Sequence, residues 1–174
     1  MRVFRMISPS NFNTYISESF LDYPDNSSLT LIFYMPGCSY NCKGCQNIDL
    51  QKFEGYLETT ILTDLLYSSC KKSRTNKLCL QGGDPLFKEN LYFTKYILSK
   101  LSNLLDICIY TGATIKEVKK LGLSGFKFIK CGKFDISKFI GSKKTDTYLQ
   151  FASSNQQLYD KDLNLLSKDG IYYF

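Results

Sequence analysis

The chain of 174 residues contains no histidine. That absence excludes Ser-His and Cys-His nucleophile pairs, histidine-ligated metals and imidazole acid–base chemistry, leaving cysteine, carboxylate, lysine, tyrosine or a cofactor to do any chemistry. No apolar run approaches the roughly 20 residues of a membrane span, so no membrane partner is expected. The first six residues carry basic side chains, but no apolar region and small-residue cleavage site follow them, which predicts no secretory signal and a cytoplasmic location. Internal repeats and low-complexity segments are absent too. This length suits one domain, residues 1–174, around a single core.

What is present begins with charge. The formal net charge is +6, and lysines recur within 71–77, 116–120 and 143–144. Such a balance can serve nucleic acid or an acidic protein partner. The basic residues are dispersed and no nucleic-acid motif accompanies them, so they read as solvated faces and no nucleic-acid partner is expected.

Seven cysteines is an odd number, and without an export signal they predict a reducing compartment rather than a disulfide framework. Cys79 and Cys108 fall within apolar runs, and Cys70 and Cys131 near element ends; these four read as small buried hydrophobes. Cys38, Cys42 and Cys45 differ. They lie in Gly37-Cys-Ser-Tyr-Asn-Cys-Lys-Gly-Cys-Gln-Asn47 with the spacing C-x3-C-x2-C. Thiolates that close need a soft metal to offset their repulsion. A closed zinc site takes four protein ligands, whereas an iron–sulfur cube on three cysteines keeps one iron open. The alternative from another class is a zinc-binding interaction module that borrows a fourth cysteine such as Cys131.

Around this loop the chain alternates strand and helix. Residues 1–28 are turn-rich, with Pro9, Pro24 and a Ser/Asn cluster at 26–28, and hold at most a short strand. Strands are predicted over Leu29–Met35, Lys77–Gln81, Asp106–Thr111, Phe126–Cys131 and about Thr147–Ala152, with a short terminal one over Ile171–Phe174. Helices are predicted over Glu58–Lys72, capped by Thr59 or Thr60, over Glu89–Asn103, and over 115–121, ended by Gly122. Each predicted strand but the terminal one ends in a distinctive turn: the cysteine loop after Pro36, Gly82-Gly83-Asp84-Pro85, Tyr110-Thr111-Gly112, Gly132-Lys133-Phe134, and Ser153-Ser154-Asn155-Gln156. Strand C-terminal ends are where open α/β sheets collect ligands, and two glycines at such an end let backbone approach a ligand closely.

C-x3-C-x2-C resembles the signature of the radical S-adenosylmethionine superfamily, in which three cysteines hold a [4Fe-4S] cluster and S-adenosylmethionine chelates the fourth iron. Many members carry an aromatic residue just before the third cysteine; here that residue is Gly44. Gly44 with Gln46-Asn47, the Gly-Gly-Asp-Pro turn and the later strand-end motifs, in this order over about residues 29–157, resemble the anaerobic ribonucleotide reductase activating proteins. The resemblance implies an α/β fold, a partial and open (β/α) barrel of mostly parallel strands, since a complete one takes about 250 residues. It implies a [4Fe-4S] cluster on Cys38, Cys42 and Cys45, and S-adenosylmethionine held by Gly82, Gly83 and Asp84 and by backbone around Gly44, Cys45 and Gln46, with Thr111, Ser153 and Asn155 nearby. It further implies abstraction of a hydrogen from a glycine of the anaerobic ribonucleotide reductase, fed by an electron donor such as a flavodoxin or ferredoxin. Another small radical enzyme of the same superfamily, acting on a different glycyl-radical protein or a small molecule, is the second enzyme reading.

Overall fold

The computed structural model describes residues 7–25, 29–53, 55 and 58–174. The N-terminal hexapeptide and the Ser/Asn cluster at 26–28 lie outside the described residues. In chain order the strands are β1 (Ile16–Ser19), β2 (Thr30–Met35), β3 (Lys77–Gly82), β4 (Asp106–Tyr110), β5 (Phe128–Cys131), β6 (Lys143–Lys144), β7 (Tyr148–Gln150), β8 (Gln157–Asp160) and β9 (Ile171–Tyr173). The helices are α1 (Thr59–Lys72), α2 (Leu91–Leu101) and α3 (Ile115–Leu121). A mixed, mostly parallel six-stranded sheet runs β1-β2-β3-β4-β5-β8, and β6-β7-β9 form a separate antiparallel one. The large sheet is open; no closed barrel forms among the described residues.

Strand parity divides the large sheet into two faces. Leu31, Phe33, Met35, Leu78, Leu80, Ile107, Ile109 and Ile129 point to the side covered by Leu62 and Leu66 of α1, Ile97 and Leu98 of α2 and Val118 of α3. Leu62 and Leu66 are essentially inaccessible, and burying each contributes about 1.5–3 kcal/mol before cavity effects. The alternate residues Ile32, Cys79 and Cys108 form a second apolar layer with Tyr23 and Phe128 on the opposite face. Cys70 and Cys131 are buried as well, so the four cysteines outside the loop are core residues.

Three expectations are corrected. Helix α1 is N-capped by Glu58 with no side-chain cap bond; the cap expected at Thr59 or Thr60 is absent, and both lie inside the helix. Helix α2 is shorter than expected at both ends: it starts at Leu91, after Asn90, which is buried with its amide bonded to the Asp84 carbonyl at 2.7 Å and the Gly37 carbonyl at 3.4 Å, and it stops at Leu101. The strand expected near Thr147–Ala152 does not continue the parallel sheet: it is β7, in the small sheet. A parallel return needs a crossover of a dozen or more residues, usually helical, and between β5 and β7 the chain forms only a three-residue 3-10 turn, Ile136–Lys138, and β6. The place beside β5 goes to β8, antiparallel, with Ile129 opposite Tyr159. At the other edge β1 pairs antiparallel with β2, and Ile7, Phe12 and Tyr15 are buried, so residues 7–19 belong to the packed structure.

Candidate functional site

Because β2, β3, β4 and β5 are parallel neighbours, their C-terminal turns emerge at one edge. The cysteine loop is tied there by backbone. Gly37 N–H donates to the Leu50 carbonyl at 2.7 Å and Cys38 N–H to the Gln51 carbonyl at 2.8 Å, closing the loop at its base. Gly83 N–H donates to the Met35 carbonyl and Asp84 N–H to the Gly37 carbonyl, at 2.9 and 2.7 Å, so the Gly-Gly-Asp-Pro turn is bolted to that base. A β-carbon on Gly83 would stand 2.5 Å from the Gly37 oxygen and 2.6 Å from the Leu50 oxygen, which is why glycine occupies the position. Asn47 reaches back to the Gly82 carbonyl at 3.2 Å. The backbone that the two glycines were expected to bring close to a ligand is therefore in part committed to holding the two turns together.

A cavity of about 450 Å³ opens at this edge. Cys38, Cys42 and Cys45 all line it, together with Gln46, Gly82, Gly83, Asp84 and Thr111. The three thiols are half-buried and unbridged. Partial burial pushes the Cys38 thiol above its ordinary value, a backbone bond at Tyr40 lowers it, and negative charge on Asp84, Cys42 and Cys45 would raise it further. Thiolates at these positions thus repel, and a cation among them would relieve the repulsion. Among the described residues no three acidic or thiol groups already converge to metal-binding geometry. The donor set itself, three soft sulfurs on one wall with no imidazole, suits iron–sulfur ligation.

The floor of the cavity was not singled out from the sequence. Tyr34, Gln81, Tyr110 and Lys130 line it, one residue from each parallel strand, with Tyr34 level with Gln81 and Tyr110 level with Lys130. Parity carried the signal: each lies on the face opposite Phe33, Leu80, Ile109 and Ile129. The Lys130 ammonium stands 5.2 Å from the centre of the Tyr110 ring, and burial pulls it below the ordinary lysine value against the attraction of Asp84. The Tyr110 hydroxyl is buried without a partner among the described residues.

Asp84 is nearly inaccessible and its carboxylate is occupied: it accepts from Leu86 N–H at 2.7 Å, from Thr111 Oγ1 at 2.8 and 3.0 Å and from Gly112 N–H at 2.8 Å. Burial raises its pKa above the usual carboxylate range, and these bonds oppose the shift. Asp84 and Thr111 therefore fasten the end of β3 to the end of β4.

Gly44, Ser153 and Asn155 do not line this cavity. The motif at 153–156 instead clasps the turn after β5. Gln156 Nε2 donates to the Gly132 carbonyl at 3.3 Å, Asn155 Nδ2 to the Lys133 carbonyl at 2.9 Å, and Asp135 N–H donates to Ser153 Oγ at 3.3 Å. Asn155 and Cys131 line a neighbouring cavity of about 440 Å³ with Tyr40, Glu117 and Lys133. Cys131, the extra thiol that a four-cysteine zinc site would draw on, is thus absent from the wall that carries the other three.

Three soft donors on one wall at the edge of an open, mostly parallel sheet define an iron–sulfur type of site, and the chain belongs to the 4Fe-4S single cluster domain family, whose model matches residues 28–159. It is similar to the anaerobic ribonucleoside-triphosphate reductase-activating protein of Enterobacteria phage T4, with 28% identity over 143 residues, 79% of this chain and 88% of that protein. Proteins of the same name are similar in Vibrio cholerae, 26% identical over 56% of this chain and 67% of theirs, and in Pasteurella multocida, 28% identical over 60% and 70%. The resemblance read from the motifs holds at this level. No solved structure matches the chain significantly. Among the described residues no helix is long and apolar enough to cross a membrane.

Proposed function

We propose that the chain is a radical S-adenosylmethionine activase of an anaerobic ribonucleotide reductase, its open sheet a partial (β/α) barrel within a single domain. The observation that carries this reading is that all three loop thiols and the Gly-Gly-Asp-Pro turn line one cavity. When bound, a [4Fe-4S] cluster supplies the single electron that cleaves S-adenosylmethionine, chemistry that ends with a hydrogen atom removed from a glycine of the reductase.

The chain's own residues have defined tasks. Cys38, Cys42 and Cys45 provide the sulfur donors, and among the described residues no fourth cysteine lines the cavity. Gly82 and Gly83 bring backbone against the methionine end of the ligand, with backbone at Cys45 and Gln46 beside it; Gly44, which the resemblance also implied, stands behind the lining. Asp84 and Thr111 keep that turn rigid from within, and Ser153 and Asn155 hold the next strand end. Lys130 places a desolvated cation on the floor, where a carboxylate would neutralise it. The sheet's open side leaves room for a polypeptide loop to reach the cavity, which suits a protein substrate. The electron comes from a donor such as a flavodoxin or ferredoxin, and the setting is cytoplasmic.

The test is anaerobic reconstitution followed by reduction in the presence of S-adenosylmethionine and the reductase. About four irons and four sulfides per chain, release of 5′-deoxyadenosine and a glycyl spin signal on the reductase are expected. Zinc without sulfide would sink the reading. Cleavage without a spin signal would leave the chemistry and overturn the partner, in favour of another glycyl-radical protein or a small molecule.

A further inference from the structure

Gly44 precedes the third cysteine of the loop, has a positive φ of 77° and carries no side chain to shield that cysteine. The surface beside it comes from another element. A β-carbon built on Gly44 would meet Phe134 Cε1 and Ile136 Cδ1, each at 3.5 Å. Phe134 also lines the cavity that holds the three thiols. Its ring is only partly covered, and it is held edge-to-face by Phe139 with centroids 6.1 Å apart and planes at 82°. The backbone around it is fixed on both sides: Gly132 and Lys133 give their carbonyls to Gln156 and Asn155, and Asp135 gives its amide to Ser153. A ring so constrained loses little freedom when something stacks on it.

The other aromatic rings of the cavity are engaged differently. Tyr110 packs edge-to-face on Phe151 at 5.9 Å, Tyr34 is bonded through its hydroxyl to Ser17, and the Tyr40 ring fills the space above Gly112, where an added β-carbon would stand 2.5 Å from it. Phe134 lies against Gly44, between Cys42 and Cys45.

We propose that Phe134 is the stacking wall for the planar base of a nucleoside ligand, its ring standing beside the third cysteine where Gly44 offers no side chain. This rests on the reading above that the ligand is an adenosyl compound. The motif Gly132-Lys133-Phe134 then has a task, to present the ring, and the motif at 153–156 has the task of clamping it.

The test uses the anaerobically reconstituted protein and three probes: S-adenosylmethionine, 5′-deoxyadenosine, which keeps the base, and methionine, which lacks it. Base–aromatic stacking is worth about 5- to 150-fold in affinity, so Phe134→Leu should weaken both base-bearing probes at least about fivefold. It should leave methionine affinity and iron content unchanged, and Phe134→Tyr should bind all three as the wild type does. The chain has no tryptophan, so Phe134→Trp introduces a single indole whose fluorescence should be quenched by 5′-deoxyadenosine and not by methionine. Wild-type binding of the base-bearing probes matched by Phe134→Leu, or an indole blind to 5′-deoxyadenosine, overturns the stacking wall alone. Wild-type protein that carries iron and sulfide yet binds neither S-adenosylmethionine nor 5′-deoxyadenosine overturns the wall and the functional reading together.

Discussion

Thr111 Oγ1 donates to the buried Asp84 carboxylate at 2.8 Å, joining the turn after β3 to the turn after β4. With Leu86 and Gly112 also donating, the carboxylate serves as an internal fastener for the strand ends that frame the cavity. Asp84→Ala leaves three donors without their acceptor, and each unsatisfied buried group costs about 1–3 kcal/mol, so a loss of roughly 3 kcal/mol in urea unfolding is expected. Thr111→Val, which removes one donor and one acceptor for Ala113 N–H, should cost about half as much. Variants as stable as the parent would show that the carboxylate is not structural.

Gly83→Ala and Gly122→Ala test how tightly the turn is docked. A β-carbon at Gly83 meets two backbone oxygens inside 3 Å, whereas one at Gly122 meets nothing within 4 Å. Gly83→Ala should cost about 1–3 kcal/mol from overpacking and should loosen the cysteine loop, lowering iron retention. Gly122→Ala carries only the left-handed strain of its φ of 58°, about 1 kcal/mol, and should keep its iron. Equal iron retention in both would contradict the docking.

The seven cysteines should separate into two groups. Serine at 38, 42 or 45 should abolish most iron uptake with little change in the unfolding midpoint, since these thiols are half-exposed. Alanine at Cys70 or Cys79, both fully buried, should lower stability by about 1 kcal/mol through lost packing while iron uptake persists. Iron and sulfide analysis beside urea titration reads both, and loss of iron on Cys131→Ala would revive a four-cysteine site.

Lys130→Met tests the cavity floor. Desolvation is the leading influence on this ammonium and pulls its folded-state value down. The folded chain therefore binds fewer protons than the unfolded chain between the lowered value and the ordinary one near 10.4, and the penalty is full below that window and relieved as pH rises through it. Lys130→Met should be more stable than the parent by about 1 kcal/mol near neutrality, with the advantage shrinking toward pH 10 in urea titrations. A methionine variant less stable throughout would show that attraction to Asp84 outweighs desolvation.

Much of this arrangement was legible in the chain. The apolar runs ending in Pro36-Gly37, Gly82-Gly83 and Thr111-Gly112 placed three parallel strands and their turns at a common edge, because a strand's length and its breaker are local properties. Alternation also determined which residues face the helices and, by the complementary parity, that Tyr34, Gln81, Tyr110 and Lys130 share the other face. What only the tertiary structure decided were the directions of side chains in turns, where no period governs them: Asp84 inward onto Thr111, Asn155 onto Lys133, and Phe134 across to Gly44. It also decided that β7 leaves the large sheet and β8 closes its edge, since pairing between segments distant in sequence depends on whether a crossover exists to carry the chain back. The three cysteines fixed the chemistry available to the loop, and the packing of four strand ends fixed what stands opposite them.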